Sequence, residues 1–194
     1  MARSLTLSAR VTIFLSIVGF LGYCGAARAE VSGTKPHHAV VGELEKVDTE
    51  SKKITIRAAD GTEHVFSYSG RTLVHGGAAT AKGAELTGKE GGQVVVRYTG
   101  EAGRETAEHI DVFGHDTLKA SEGTITHVDN VGREVTVKAA DGAEETYDIG
   151  RDSALDSAHG LVDAARFTGK EGDHVVVYHT EEGGKKVAHL FRRL

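Results

Sequence analysis

The 194-residue chain has no tryptophan, one proline (Pro36), one cysteine (Cys24) and one methionine (Met1). Each scarcity excludes something. A single cysteine allows neither a disulfide framework nor a C-x-x-C metal or redox motif. One proline against 25 glycines rules out collagen and Pro-rich linkers and points to many tight turns. Aromatic residues, at 6%, are too few for a large aromatic core. The motifs G-x-S-x-G and H-E-x-x-H and the P-loop are missing too. We therefore expect no enzyme and no cofactor. At 39% hydrophobic and 26% charged, the chain is otherwise globular in composition.

The N-terminus carries the one long apolar run. Arg3 and Arg10 precede Val11 to Tyr23, 13 apolar or small residues, and Ala27-Arg28-Ala29 follows. The run is short of the roughly 20 residues of a membrane span. Basic start, apolar run and small residues at −3 and −1 predict a signal peptide over 1–29, cut before Glu30. Leu21-Gly22-Tyr23-Cys24 approximates a lipobox, but the bulky Tyr23 disfavours lipidation of Cys24. Arg3, Arg10 and Arg28 leave with the signal and no acidic residue does, so 20 Lys+Arg face 28 Asp+Glu, a net charge of −8. The expected location is periplasmic or secreted, with no membrane span after cleavage. The acidic balance argues against nucleic acid as partner, because phosphate binding rests on clustered Lys and Arg.

A repeat organises the remainder. Ala58-Ala59-Asp60-Gly61 returns as Ala139-Ala140-Asp141-Gly142, and Thr87-Gly88-Lys89-Glu90-Gly91 as Thr168-Gly169-Lys170-Glu171-Gly172. Both offsets are 81, and Val94-Val95-Val96 matches Val175-Val176-Val177 at the same spacing. A one-residue slip near the end pairs His109-Ile110 with His189-Leu190. Two copies are too few for a solenoid. The reading is a leader over 30–38, a first domain over 39–113, a joint over 114–120 and a second domain over 121–194.

Strand signals dominate each copy. Val40 to Asp48 and Gly123 to Asp129 read as first strands. Ile54-Thr55-Ile56 and Val135-Thr136-Val137 alternate as half-buried strands do. The Asp-Gly pairs mark hairpin turns, with return strands over Thr62 to Tyr68 and Ala143 to Ile149. The Ala-rich stretches Gly77 to Leu86 and Ser157 to Phe167 predict one short helix per copy. Gln93 to Thr99 and Glu105 to Phe113 complete the first set. The sum is a mainly β protein of two tandem five-stranded barrels, OB-like or, alternatively, SH3-like.

Gly42-x-Leu44-x-x-Val47-Asp48, the β-branched strand, Asp60-Gly61 and Gly91-Gly92-x-Val94-x-Val96 resemble exported bacterial small β-barrel domains of unknown function. The second copy matches with Gly172-Asp173-x-Val175-x-Val177. The resemblance implies a fold and an extracytoplasmic setting, and no chemistry. Periplasmic copper-chaperone barrels have a similar skeleton; they bind metal through Met, His and Trp, and this chain after cleavage has no Met and no Trp.

Histidine is the one unusual abundance, with 11 residues. Imidazole suits zinc, nickel and copper(II). The metal candidates are His109 and His189, which recur in both copies. His37-His38 fall in the leader, and His174 and His179, five apart, point to opposite faces of a strand. The repeated Lys89-Glu90 and Lys170-Glu171 read as solvated turns. The functional expectation is a non-enzymatic binding protein whose partner is an unidentified protein or envelope component. The alternative is a weak divalent-metal buffer based on histidine.

Overall fold

The computed structural model describes residues 37–76, 80–82 and 86–194. The expected signal peptide, with Cys24, and most of the leader lie outside the described residues. The chain is built from strands. The first set is β1 (His37–Asp48), β2 (Lys53–Ala58), β3 (Glu63–Ser67), β4 (Leu73–His75), β5 (Thr80–Lys82), β6 (Gln93–Thr99) and β7 (Thr106–Phe113). They form one sheet in the order β3-β2-β1-β6-β7-β4-β5, and β3 meets β7 again at Ser67 and Thr106. The second set is β8 (Lys119–Asp129), β9 (Glu134–Lys138), β10 (Glu144–Ser157), β11 (Gly160–Asp163), β12 (His174–Glu182) and β13 (Lys185–Arg193). Its order is β11-β10-β13-β12-β8-β9, and the β10–β9 pairing closes five of these strands into a barrel. Closure removes the exposed edges that invite foreign strands.

Local chemistry explains the turns. In the first copy Asp48 Oδ1 accepts the backbone N–H groups of Glu50 and Ser51, at 3.0 and 2.8 Å. Asp129 does the same for Val131 and Gly132, at 2.9 and 2.8 Å. Each aspartate thereby fixes its β-turn through an Asx contact. The Asp-Gly turns hold Gly61 at φ +83° and Gly142 at φ +90°, a region that other residues enter at a cost.

The two first strands must also bend. A bulge interrupts the register of β1 between Leu44 and Lys46, and of β8 between Ile125 and His127. At the bend, a Cβ on Gly42 would stand 2.2 Å from the Arg57 carbonyl oxygen. On Gly123 it would stand 2.4 Å from that of Lys138. Glycine is required at both for close approach of the next strand.

Alternation then fills the barrels. Leu44, Ile54, Ile56, Phe66 and Ile110 are wholly buried in the first. Ile125, Val135, Tyr147, Val177 and Phe191 fill the second. Among the described residues these side chains fill each interior.

Three expectations need correction. The helix expected over Ser157 to Phe167 is a hairpin: Gly160, at φ +103°, turns β10 into β11, where Leu155 pairs with Val162. Only Ala164–Arg166 is helical, as a single 3-10 turn. In the first Ala-rich stretch, Thr80–Lys82 is a strand paired with β4, and the flanking residues lie outside the described ones. Alanine propensity yields here to strand pairing, which buries Leu155 and half-buries Leu161. The leader is also shorter than expected, since His37 and His38 already belong to β1, opposite Thr99 and Tyr98.

The third correction concerns the slip. Arg97 pairs with His109 and Tyr98 with Ala107, across a bulge. In the second copy Tyr178 pairs with Leu190 and His179 with Ala188, across a bulge at the same place. The offset of 81 therefore runs on without a gap. His109 corresponds to Leu190, and His189 corresponds to Glu108.

Candidate functional site

Both barrels fall within one compact unit. Between their cores lies a third apolar cluster: Ala39 and Val95 from the first, Ala154 and Leu190 from the second, and Leu118 from the joint. Val41, Phe113, Leu161 and Tyr178 pack around it. These are outward-facing positions of the barrel strands. Val95 and Leu190 are fully buried nonetheless, because the barrels cover each other there.

Polar groups frame this seam. Arg97, only 6% exposed, donates to Asp111 Oδ2 at 3.1 Å and, across the seam, to the backbone carbonyl of Asp152. His75 Nδ1 stands 3.7 Å from both Asp111 Oδ1 and Asp152 Oδ2, one carboxylate from each barrel. That is beyond hydrogen-bond range, so these are electrostatic contacts. His75 also meets His109 edge-on, with ring centroids 5.8 Å apart. At the other end Arg192 donates to the Ala39 carbonyl at 2.9 Å, and His38 Nδ1 lies 3.6 Å from Asp156 Oδ1.

The two expected histidines both reach this seam, from unlike positions. His109 projects outward from β7 beside His75 and Arg97. Its Nδ1 is buried and has no hydrogen-bond partner among the described residues. His189, at the β13 bulge, places its ring edge-on to Phe113 at 4.6 Å, and its Nε2 lies 2.8 Å from Thr180 Oγ1. Burial is the first cause that lowers the pKa of each below the ordinary histidine value. For His109 the Arg97 guanidinium adds to the lowering, against the Asp111 carboxylate. For His189 the carboxylates of Asp111 and Glu182 oppose it. Both imidazoles are thus neutral at pH 7. Among the described residues no three His, Cys, Asp or Glu side chains are arranged to hold a metal ion. His109 and His189 both sense the charges of Arg97, Asp111 and Asp152.

A second polar cluster lies inside the second barrel. His179, 1% exposed, places Nε2 3.1 Å from Ser121 Oγ and stacks edge-on against Tyr147 at 5.0 Å. Tyr147 donates to Glu145 Oε2 at 2.5 Å, and Glu145 is paired with Lys186. Burial, and then the bond to Glu145, pushes the Tyr147 hydroxyl pKa far up. Burial pushes that of His179 down. A serine beside a histidine suggests nucleophilic catalysis. Among the described residues the His179 Nδ1 is buried without a hydrogen-bond partner, so no third group orients this ring.

Two of the surface grooves correspond to each other. One, of about 370 Å³, is lined by Gly42, Glu43, Arg57, Ala58, Ala59 and Gln93, with His115, Leu118 and Tyr178 at its far side. The other, of about 490 Å³, is lined by Gly123, Thr124, Lys138, Ala139, Ala140 and His174. Position by position, these six are the first six shifted by 81. Sequence reasoning missed the grooves because their residues belong to turns and strand ends. It missed Arg97, Asp111, Asp152 and His75 because they stand singly, outside the repeated blocks.

The fold places the chain among small β-barrel proteins. No protein-family model matches the chain, and a search of curated proteins finds no similar sequence. Among solved structures it is similar to the crystal structure of Ag(I)CusF, at 18% identity and a TM-score of 0.28, over 39% of this chain and 96% of that one.

Proposed function

We propose that the chain is an exported, non-enzymatic binding protein made of two duplicated small barrels. Its partner is a protein or another component of the cell envelope. The observation that carries this reading is the pair of corresponding grooves. Both barrel interiors are filled, so a ligand must be held on the outside. The outside carries the same groove twice, each with a glycine floor, a basic rim residue (Arg57 or Lys138) and two alanines. Two like sites on one chain raise the avidity for a partner that presents a repeated or extended feature.

The test uses the rim residues Ala59 and Ala140, both exposed. A photoreactive amino acid replaces each in turn in cells that produce and export the protein. The same discrete adduct from both positions is the expected result. Adducts from neither, with a control adduct from a known envelope complex, defeat the reading. N-terminal sequencing of the exported protein tests the export step, with Glu30 as the expected first residue.

A further inference from the structure

We propose that the seam between the barrels is an acid-sensitive latch: protonation of His109 and His189 releases the second barrel from the first, while each barrel keeps its own core. The seam is a separate layer of the structure. Its apolar cluster shares no residue with either barrel interior. Among the described residues, parting it costs the burial of Val95, Ala154 and Leu190 and the cross-seam bonds from Arg97 to the Asp152 carbonyl and from Arg192 to the Ala39 carbonyl. No strand pairing within a barrel is lost, because among the described residues no ladder joins the two sheets.

The closed seam is a poor place for a second positive charge. His109 faces Arg97 and Asp111 on its own barrel, His75 on β4 and Asp152 across the seam. A proton on its buried Nδ1 would have no acceptor among the described residues. His189 faces Asp111, Asp152, Glu182 and Arg97, with Phe113 against its ring. The carboxylates favour protonation, but burial is the larger influence on both imidazoles. Opening returns both rings to water, where they bind protons with a pKa of about 6.5. Protons and opening are then linked. Two contacts pull the other way. Protonated His75 attracts Asp111 and Asp152, and protonated His38 attracts Asp156. Both are longer than a hydrogen bond, at 3.6 and 3.7 Å, which weakens them.

The magnitude follows from the linkage. An imidazole that stays neutral in the closed seam multiplies the opening constant by about 30 at pH 5.0. That factor is the ceiling for each group, and the opposing contacts lower it.

The experiment measures the distance between the barrels in the full-length chain. Spin labels are placed at Val65→Cys and Val131→Cys, exposed positions of the first and second barrel, in a Cys24→Ser background. Pulsed dipolar spectroscopy is recorded at pH 7.5 and 5.0. One narrow distance at pH 7.5, and at pH 5.0 a longer, broad population with the open-to-closed ratio raised, is the expected result. Circular dichroism should stay unchanged between the two. An unchanged distance, or loss of strand signal together with opening, overturns the latch. The double variant His109→Gln, His189→Gln should hold the narrow distance at both pH values; opening that still depends on pH overturns the assignment. If that variant is already open at pH 7.5, nuclear magnetic resonance titration of the unsubstituted chain decides. His109 and His189 titrating below ordinary histidine support the latch, and titration at or above it sinks it.

Discussion

Where the first barrel packs Phe66 against Tyr98, ring centroids 4.8 Å apart, the second packs Tyr147 against His179 at 5.0 Å. The four residues are two corresponding pairs at the offset of 81. Around them Val40 becomes Ser121, and His64 becomes Glu145. Two barrels with one strand plan therefore have different interiors at this end. The first is almost wholly apolar. The second carries a chain of hydrogen bonds and an ion pair, from Glu145 and Lys186 through Tyr147 towards Ser121 and His179. Shape and ring stacking are retained, while polarity is exchanged. A barrel of this kind tolerates buried polar groups only when nearly all are satisfied.

The comparison breaks most sharply where the barrels are alike. Gly42→Ala and Gly123→Ala each drive a methyl group into a backbone carbonyl, which cannot swing aside. Each should cost at least about 3 kcal/mol by denaturant titration, a severe overpacking. Equal losses support a common strand plan; a silent Gly123→Ala would show that the second barrel bends differently. Next in size, Phe66→Ala should cost about 3–5 kcal/mol. Tyr147→Phe should cost only about 1 kcal/mol, the net worth of a hydrogen bond, with a further penalty for the stranded Glu145. If the two cost the same, the polar network carries more of the second barrel than its geometry suggests.

Much of this plan could be read from the sequence. Ile54-Thr55-Ile56 and Val135-Thr136-Val137 are strands because their alternation is strict, and Asp60-Gly61 and Asp141-Gly142 are turns because glycine takes positive φ cheaply. The Ala-rich stretch ending at Phe167 misleads because pairing between β10 and β11 outweighs helix propensity. The apparent slip between His109 and His189 arises from a chance identity. Bulges in both copies absorb one residue each and keep the offset constant. The seam had one signal. Val94-Val95-Val96 does not alternate, and a strand that is apolar on successive positions is covered on both faces. What covers it could not be read, since Leu161 lies in the stretch expected as a helix and Ala154 in the unassigned residues before it.

Acid separates the barrels more gently. The pKa of His179 is lowered first by burial and then by Lys186, against Glu145 and Glu181. The unfolded chain takes up a proton near pH 6.5 and the folded one only at lower pH. Stability from this group is therefore complete above about pH 6.5 and falls as the pH drops towards the folded value. The loss is at most about 1.4 kcal/mol at pH 5.5 for one imidazole. Its counterpart Tyr98 makes no such contribution in this range. Denaturant titrations at pH 7.5 and 5.5 should show a smaller pH dependence in His179→Phe than in the unsubstituted chain. An equal dependence would assign the acid response elsewhere.

The smallest effect expected is with metal. Isothermal titration with Zn²⁺ at pH 7.5 should give a Kd above about 10 μM, or less than about 7 kcal/mol of binding. The His109→Ala, His189→Ala double variant should leave it unchanged. A stoichiometric sub-micromolar site lost in that variant would make the protein a metal buffer.

The seam joins unlike faces. The first barrel contributes Ala39, Val41, Val95 and Phe113. Their counterparts in the second are Ala120, Glu122, Val176 and Leu194, a set that includes a charge and is largely open to water. A contact between different faces of like units has no built-in end: each added unit offers the next one the same socket, and a filament grows. Glu122, standing where the first barrel has Val41, spoils the second socket. The two barrels thus meet through a face that only the first presents in apolar form.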